Sequence, residues 1–287
     1  MSDESYEAET TAKAAESGNK ATERFLQNTA FANVQADQAR ISRIASRVIK
    51  AMNDAVIEEE VTYDEYNILK AWLIKMGNDG EWPLFLDVWL EHSVEAVHNS
   101  AKKGTKGTIE GPYYVPNAPQ QNTPATIEMR ADEPGTPLKF HGNVTAVDGT
   151  PLKNAVIELW HADDLGFYSQ YAPGLPEWNL RGTFIADENG YYEIHTVQPA
   201  PYQIPTEGAC GQLISAAGWH AWRPAHLHIK VTAPGYDLIT TQLYFDGGDY
   251  LDSDVAGAVK PELVLRPTLS ADGTNADAKY DFVLDPA

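Results

Sequence analysis

Two histidines separated by a single residue, His226 and His228, lie in the segment from Arg223 to Val231. Apolar and β-branched residues run through this segment, which predicts a β-strand. Residues i and i+2 of a strand point to the same face, with Cα atoms about 6.6 Å apart. The spacing therefore lets both imidazoles bind one metal ion. It fits equally well two polar side chains that only hydrogen-bond within a sheet, so the pair by itself leaves both interpretations open.

Two segments upstream each carry a tyrosine in a setting that is similar to one protein family. Residues 158–169 read as a buried strand that runs into a turn ending at Tyr168, and residues 199–208 form a proline-rich loop around Tyr202. Together with the segment around His226, they resemble, in chain order, the ligand segments of the intradiol ring-cleaving dioxygenases. Residues 107–114, 179–183 and 240–243 extend the resemblance, which is closest to catechol-cleaving members of the actinobacterial type.

The resemblance implies a non-haem Fe(III) centre whose protein ligands are Tyr168, Tyr202, His226 and His228. Anionic phenolate oxygens suit a hard ferric ion, and two neutral imidazoles complete the set. In the family pattern Tyr202 is the axial ligand, which leaves as substrate binds and accepts one of its protons. Tyr168 stays bound.

Further site residues follow from the same resemblance. Arg223 would stabilise negative charge that develops on the substrate ring, and Gln242 would hydrogen-bond near the substrate. The expected catalytic residues are thus Tyr202, Arg223 and Gln242. Besides Arg223, the residues expected to contact substrate are Ile109, Pro112, Tyr113, Val255 and Ala256.

The implied reaction is cleavage of catechol by O2 between the two hydroxyl-bearing carbons, giving cis,cis-muconate. It would belong to aromatic-compound degradation through the β-ketoadipate pathway. The same chemistry on hydroxyquinol or chlorocatechols is the nearest alternative. Two others stay open: a non-enzymatic β-sandwich binding module with a structural His-x-His, and an extradiol enzyme, which would need a carboxylate ligand and ferrous iron.

Three other residues near these segments have a less direct place in the pattern. Tyr171 is the rival of Tyr168 for the ligand role, and His161 is expected to orient the loop rather than bind metal. Relatives usually have Gly-Pro-Thr-Gly after the axial tyrosine loop, where this chain has the sequence from Gly208 to Gly211. We expect a less rigid loop there, with Cys210 either a small buried hydrophobe or a thiol-sensitive site.

Helices must precede the site. Apolar residues recur at three- and four-residue spacing from Ile41 to Val56, which predicts an amphipathic helix. Thr62 and Glu65 form a capping box for a second helix, with Gly77 as its predicted C′ residue. A third helix is predicted from Pro83 towards Gly104.

Beyond Gly111 the pattern changes to short alternating strands with Gly and Pro turns. Strands are predicted at residues 140–147, 155–161, 191–196, 225–231, 238–245 and 280–284. The absence of a helical pattern between them predicts an antiparallel β-sandwich. The expected fold is α+β: a mobile arm (1–22), a helical linker and dimerisation domain (23–105), and a β-sandwich catalytic domain (106–287).

Composition narrows the partners and the compartment. The 287 residues carry a net charge of −20, which makes nucleic acid an improbable partner. With a single cysteine there is no intrachain disulfide, and without a signal peptide or a long apolar run we expect a cytoplasmic protein that does not insert into membranes. The resemblance adds a homodimer formed through the N-terminal helices, around an apolar channel that holds lipid.

Overall fold

The computed structural model describes residues 23–24 and 37–287, so the predicted arm at 1–22 lies outside the described residues. Four helices precede the sheets in the described part of the chain. They are α1 (Gln38–Glu58), α2 (Tyr63–Asn78), α3 (Trp82–Trp89) and α4 (Glu91–His98). A fifth helix, α5 (Ala209–Ala217), lies within the strand region.

The helix starts follow the sequence signals more closely than the helix ends. Thr62 caps α2, and Glu65 completes the predicted capping box. The predicted C′ role of Gly77 is wrong: this residue is still helical, and Gly80, with φ +69°, is the left-handed residue that follows the helix. The single helix predicted after Pro83 is two helices, because the chain leaves helical geometry at Leu90.

Fourteen strands follow α4 in the described residues, several of them only two or three residues long. They are β1 (Gln120–Asn122), β2 (Ala125–Thr126), β3 (Pro137–Ala146), β4 (Val156–Trp160), β5 (Arg181–Ile185), β6 (Tyr191–Val197), β7 (Tyr202–Gln203), β8 (Trp222–Arg223), β9 (His226–Thr232), β10 (Ile239–Phe245), β11 (Val264–Leu265), β12 (Thr268–Leu269), β13 (Ala276–Lys279) and β14 (Phe282–Leu284). A 3₁₀ turn, Pro261–Leu263, precedes β11.

Two six-membered layers form the sandwich, which confirms the predicted helical region followed by a β-sandwich. One sheet has the order β1-β5-β4-β9-β10-β11, and the other has β12-β13-β3-β6-β2, with β14 also paired to β3. The longest pairings, β3 with β6 and β9 with β4 and β10, are antiparallel as predicted. The sheets are nevertheless mixed, because the short strands β1, β2, β11, β13 and β14 pair in parallel.

Strict alternation of burial along β3 shows why these segments form a sandwich. Leu138, Phe140, Val144 and Ala146 are buried, and the intervening side chains are partly exposed. This period of two buries one face of each sheet against the other. Leu227, Ile229, Val231 and residues of β3, β4, β6 and β10 form one apolar core between the layers.

Helix α5 was not predicted, and its position explains why it forms. Its first backbone amides, Ala209 N and Cys210 N, donate to the carboxylates of Asp79 (3.0 Å) and Glu81 (2.8 Å), which follow α2. Carboxylates at a helix N-terminus satisfy free N–H groups and favour the helix dipole. The indole of Trp72 in turn donates to Ala209 O at 2.7 Å. The stop of α2 and the start of α5 are therefore joined, and the segment from Gly208 to Gly211 is held more firmly than predicted.

The helices differ in how they contact the rest of the molecule. Met76, Leu84 and Val88, from α2 and α3, pack in a second apolar cluster together with Tyr168 and Tyr202. Helix α1, in contrast, buries no side chain against the described part of the chain. Within the described residues, we find no helix with the length and apolar character needed to span a membrane.

Candidate metal centre

Two strands and one loop bring the four candidate ligands together. His226 and His228 lie on β9, the strand between β4 and β10, so both imidazoles leave the same face of the sheet. Tyr168 lies in the loop after β4, and Tyr202 begins β7, which pairs with β8 just before β9. All four side chains are buried, with exposed fractions between 1 and 7%.

The polar ends of these side chains converge on one point. His226 Nε2 and His228 Nε2 are 3.1 Å apart, and His228 Nε2 is 2.9 Å from Tyr168 Oη. Tyr168 Oη lies 3.5 Å from Tyr202 Oη. Two imidazole nitrogens and two phenol oxygens thus face each other in a buried space, which is the donor arrangement that a bound cation needs.

Neighbouring groups set the orientation of each imidazole. His226 Nδ1 lies 2.7 Å from Pro224 O, so Nδ1 carries the proton and leaves the lone pair of Nε2 directed at the centre. The ring of His228 stacks on Trp160, with centroids 4.9 Å apart and planes 10° from parallel. His228 Nδ1 lies 3.3 Å from the amide nitrogen of Gln242, the residue directly opposite it on β10.

Burial fixes the protonation states of these groups. Loss of solvent, followed by the nearby charge of Arg223, lowers the pKa of His226 to about 3. The pKa of His228 is also far below its ordinary value, first because of burial and then because of His226. Both imidazoles are therefore neutral at physiological pH, the form in which histidine binds metals.

The two phenols differ from each other. Burial raises the pKa of Tyr168 well above its ordinary value, and Tyr202 raises it further. Burial also raises the pKa of Tyr202, but the adjacent Arg223 and the hydrogen bond donated by Tyr168 act in the opposite direction. The charge of Arg223 lowers the pKa of both phenols, but only for Tyr202 does a hydrogen bond with Arg223 add to this effect.

Gly166 lets the two tyrosine loops approach. Its φ is +85°, and a Cβ atom at this position would lie 2.4 Å from Cβ of Tyr202. No side chain fits there, so the loop before Tyr168 can lie against Tyr202 only with glycine.

Arg181 holds the Tyr168 loop from the other side. This buried guanidinium donates to Ser169 Oγ (2.9 Å), Ser169 O (3.1 Å) and Tyr113 O (2.8 Å). Its carbon Cζ also lies 5.8 Å from the ring centre of Tyr168. Arg181 lies in the segment 179–183 of the family pattern, but no role was predicted for it.

His161 binds the same loop to the other sheet. Its Nδ1 lies 2.7 Å from Ala162 O and its Nε2 lies 2.7 Å from Thr196 Oγ1. Because both ring nitrogens have partners away from the four candidate ligands, His161 orients the loop. The rival tyrosine, Tyr171, donates to Tyr114 O at 3.1 Å and does not join the four converging groups.

Arg223 reaches the centre through a buried polar network. Its Nε and Nη2 atoms each lie 3.0 Å from a carboxylate oxygen of Asp254, and Nη2 also donates to Gln242 Oε1 at 2.9 Å. Its Nη1 lies 3.3 Å from His226 Nε2. Gln242 is oriented in turn by Ile109 O, which accepts from its amide nitrogen at 2.9 Å. Asp254 was not predicted as a site residue, although it lies beside the predicted Val255.

Most of the residues expected to contact substrate lie in or against one apolar cluster with two of the candidate ligands. Ile109, Tyr113 and Ala256 belong to the apolar cluster that contains Tyr168 and Tyr202, and Val255 packs against it. Tyr113 stacks on Tyr168, with centroids 4.6 Å apart. Pro112, half-buried, follows Gly111, where a Cβ would lie 3.5 Å from the His228 ring.

An acidic group beside this wall was also missed. Glu91 accepts from Glu110 N at 2.7 Å and Gly111 N at 3.3 Å. Burial, followed by the charges of Glu91 and Glu110, raises the pKa of the adjacent Asp87 to about 8. Asp87 lies on α3, Glu91 on α4, and Glu110 in the segment between α4 and β1. For the two helices the sequence pattern indicated only amphipathicity.

The donor set tells which ion would fit. Across residues 23–24 and 37–287, we find no group of three or more His, Cys, Asp or Glu side chains placed to hold a metal. A metal between His226 and His228 would therefore need the tyrosine oxygens as ligands. Two phenolates with two neutral imidazoles suit a hard trivalent ion such as Fe(III).

Cys210 lies outside this centre. It is buried in α5, with Sγ 3.8 Å from Met76 Sδ, and burial raises the pKa of its thiol. A buried, protonated thiol has little nucleophilic reactivity. Of the two predicted roles, the geometry favours the small buried hydrophobe.

Comparison with known proteins gives matches along nearly the whole described chain. Residues 38–106 match the family model described as catechol dioxygenase N terminus, and residues 109–286 match the model described as dioxygenase. Chlorocatechol 1,2-dioxygenase of Rhodococcus opacus is 43% identical over 229 residues, covering 79% of this chain and 89% of the relative. Catechol 1,2-dioxygenase 1 of Acinetobacter lwoffii is 33% identical, with coverage of 93% and 89%. Among solved structures, 3-chlorocatechol 1,2-dioxygenase from Rhodococcus opacus 1CP has a TM-score of 0.85 at 44% identity, covering 88% of this chain and all of that chain.

Proposed function

This chain belongs to the intradiol ring-cleaving dioxygenase family, and on that premise we propose that it opens catechol with O2 to give cis,cis-muconate. The observation that carries the proposal is the convergence of Tyr168, Tyr202, His226 and His228 on one buried point. A β-sandwich that only bound a ligand would not need two buried phenols and two neutral imidazoles with facing polar atoms. The alternative of a non-enzymatic module is therefore set aside.

The four residues fit a non-haem ferric ion. Their oxygens become anionic ligands, and their nitrogens are already unprotonated because burial lowers the pKa of both histidines. When bound, Fe(III) would supply a Lewis acid that catechol can chelate through both oxygens and that makes the ring reactive towards O2. An extradiol site would need a ferrous ion with a carboxylate ligand, which this donor set does not contain.

Tyr202 is the residue suited to take up a substrate proton. Catechol would have to lose both hydroxyl protons to bind as a dianion, so the site needs groups that can accept them. The Arg223 guanidinium lowers the pKa of Tyr202 against the effect of burial, so it would stabilise the anionic form that Tyr202 needs as a ligand before substrate arrives. The family pattern gives Tyr202 the role of the ligand that leaves and accepts a proton, and gives Tyr168, which has the Arg181 cation over its ring, the lasting ligand role.

Arg223 and Gln242 act on the substrate rather than on its protons. The Nη1 amino group of Arg223 faces the centre at His226 Nε2, where it stabilises negative charge on a bound ring or its oxygens. Gln242 holds Arg223 on one side and the Ile109 carbonyl on the other. Water would be excluded, and the substrate ring held in place, by the side chains of Ile109, Pro112, Tyr113, Val255 and Ala256.

Chlorocatechol is a second candidate substrate, favoured by the relative at 43% identity, and hydroxyquinol remains an alternative with the same chemistry. A chlorine atom needs only a slightly deeper apolar wall, a change worth about 1–3 kcal/mol in discrimination. The half-buried Val255, which packs against the apolar cluster that contains Tyr168 and Tyr202, is one residue whose size would set this depth.

We further propose a cytoplasmic homodimer that degrades aromatic compounds, with the helices of residues 23–105 at the interface and residues 106–287 as the catalytic unit. The apolar row on α1 supports the dimer, because Ile44 (50%), Val48 (56%) and Met52 (54%) are exposed on the described surface. Isolated exposed apolar residues are ordinary, but a helix-long row indicates a contact surface. Lipid would fit the apolar groove between Leu69, Trp72 and Leu213.

The test combines metal content with product identity. Protein purified with iron should show a tyrosinate-to-Fe(III) charge-transfer colour and convert catechol to cis,cis-muconate. Tyr168→Phe and His228→Ala should each lose iron and ring cleavage, because no neighbour replaces the lost ligand. Tyr171→Phe, a change of the neighbouring tyrosine in the same loop, should keep both. Formation of 2-hydroxymuconic semialdehyde, or full iron and activity in the ligand variants, contradicts the proposal.

A further inference from the structure

We infer that Asp254 is a positioning residue with two simultaneous roles: it aims Arg223 at the metal centre and folds the turn that carries Val255 and Ala256. The inference rests on the proposed function, because it assigns how that site holds its cation and its substrate wall. The sequence placed Asp254 in no motif. It is identified by its contacts alone.

The first role follows from the shape of the ion pair. Asp254 Oδ1 accepts from Arg223 Nε and Oδ2 accepts from Nη2, both at 3.0 Å, and the two side chains are 2% and 3% exposed. Two parallel hydrogen bonds between a planar guanidinium and a carboxylate fix the plane of the guanidinium as well as its distance. A single charge contact would leave the group free to turn.

Gln242 completes a clamp on Arg223 that consists of Asp254 and Gln242. Its Oε1 accepts a second N–H of Arg223 Nη2 at 2.9 Å. The three N–H groups of Nε and Nη2 are then all taken by Asp254 and Gln242. What remains is Nη1, and this amino group is the one 3.3 Å from His226 Nε2. The clamp therefore decides which edge of Arg223 faces the substrate.

A clamp is needed because the arginine side chain is long and has several rotatable bonds. Without Asp254, Arg223 would lose the paired contact that fixes the plane of its guanidinium. Catalytic groups misplaced by about 1 Å lose activity by roughly 10²-fold.

The second role uses the same carboxylate. Oδ1 accepts from Ala256 N at 3.2 Å and Oδ2 accepts from Ala258 N at 3.1 Å, so the chain turns around the Asp254 side chain. Val255 N donates to Trp222 O at 3.2 Å and Thr108 Oγ1 donates to Ala258 O at 2.9 Å, which anchor the turn at both ends. The turn therefore sets the distance between Val255 and Ala256 and the aromatic ring of a bound substrate.

These two roles predict a specific pattern in a double-mutant cycle. Asp254→Asn removes the negative charge and one of the two acceptor oxygens. One hydrogen bond from Arg223 and one from the backbone of the turn are therefore lost. In the otherwise unchanged enzyme, it should lower kcat on catechol by about 10²-fold at unchanged iron content. In an Arg223→Gln background the same change should alter kcat by less than about threefold, because Asp254 acts on turnover only through Arg223.

Selectivity should behave differently, because the bonds to Ala256 and Ala258 do not involve Arg223. Asp254→Asn should shift the kcat/KM ratio between catechol and 4-chlorocatechol by roughly fivefold in both backgrounds. Asp246→Asn is the matched control. It removes the charge of an exposed aspartate paired with Arg266 at 3.4 Å and should leave kcat and selectivity unchanged.

The possible outcomes distinguish failure of the role of Asp254 from failure of the proposed enzymatic function. An equal loss of kcat in both backgrounds, accompanied by a lower melting temperature, means that Asp254 is merely structural and overturns the inference. If Asp254→Asn alone does not fold, the double variant, which leaves no unpaired buried charge, is compared with Arg223→Gln: equal kcat supports the inference and a lower value overturns it. A wild-type enzyme that opens neither catechol nor chlorocatechol overturns the proposed function itself.

Discussion

Stability of the iron-free protein should depend on pH through His161. This side chain is 1% exposed, and burial lowers its pKa from 6.5 to about 4. Because the folded-state pKa is the lower one, the unfolded chain binds the proton more readily. The stability that neutral His161 contributes is therefore complete above pH 6.5 and is lost as the pH falls towards 4.

The two pKa values give the size of the effect. Between pH 7.5 and pH 5.0, proton uptake by the unfolded state should lower the free energy of unfolding by about 2 kcal/mol through this residue. His161→Asn removes the titrating group. The difference in unfolding free energy between the two pH values should then be smaller than in the wild-type protein by about 2 kcal/mol.

Urea unfolding followed by circular dichroism at both pH values measures this quantity, with iron removed so that metal release does not contribute. Thr196→Val serves as the control, since it removes only the hydroxyl 2.7 Å from His161 Nε2. It should lower stability at both pH values and leave the pH difference in place, because burial is the main cause of the pKa shift. An unchanged pH difference in His161→Asn would refute the reasoning.

Three further changes test the site and the assembly. Tyr202→Phe should still bind iron and catechol but turn over roughly 10²–10⁴-fold more slowly, as single-turnover kinetics would show, because a proton acceptor is lost; normal turnover would exclude that role. Gly166→Ala should lower iron content because its Cβ meets Tyr202 at 2.4 Å, whereas Gly174→Ala, with a similar φ of +83° and open space, should cost only about 1–2 kcal/mol in an unfolding titration; equal iron in the two variants would contradict this. Val48→Glu on the apolar row of α1 should shift sedimentation from dimer to monomer, and Lys50→Gln on the opposite face should not; a dimer in both would place the interface elsewhere.

The parts of the fold that sequence could predict are those with a local cause. The strand around His226 has its apolar and β-branched residues adjacent in the chain, and the Thr62 capping box is complete within four residues. Helix α5 has no such signal, because the groups that cap it, Asp79 and Glu81, lie about 130 residues earlier. The two- and three-residue strands β1, β2 and β11 were not predicted, because so short a run carries no periodicity. Strand β14 lies within the strand predicted at residues 280–284, but its parallel pairing with β3 was not predicted.

The candidate site divides in the same way. The His-x-His spacing carries its own geometric meaning, but Tyr168 and Tyr202 entered only through the family pattern. Asp254 and Arg181 needed the structure, because their roles consist of contacts with residues far along the chain: 31 positions for Asp254 with Arg223, and 68 for Arg181 with Tyr113. A buried ion pair of this kind leaves no mark in the local composition around either residue.

The separation of the four converging groups along the chain bears on how the protein matures. Tyr168 and His228 are 60 residues apart, and their polar atoms meet only after β4 and β9 have paired and the Gly166 loop lies against Tyr202. A partly synthesised chain, or one with its sheet unformed, presents single side chains that hold a metal weakly. On the proposed function, we expect metal loading to be a late step that follows formation of the sheet. Under iron limitation, folded metal-free protein rather than unfolded chains should then accumulate.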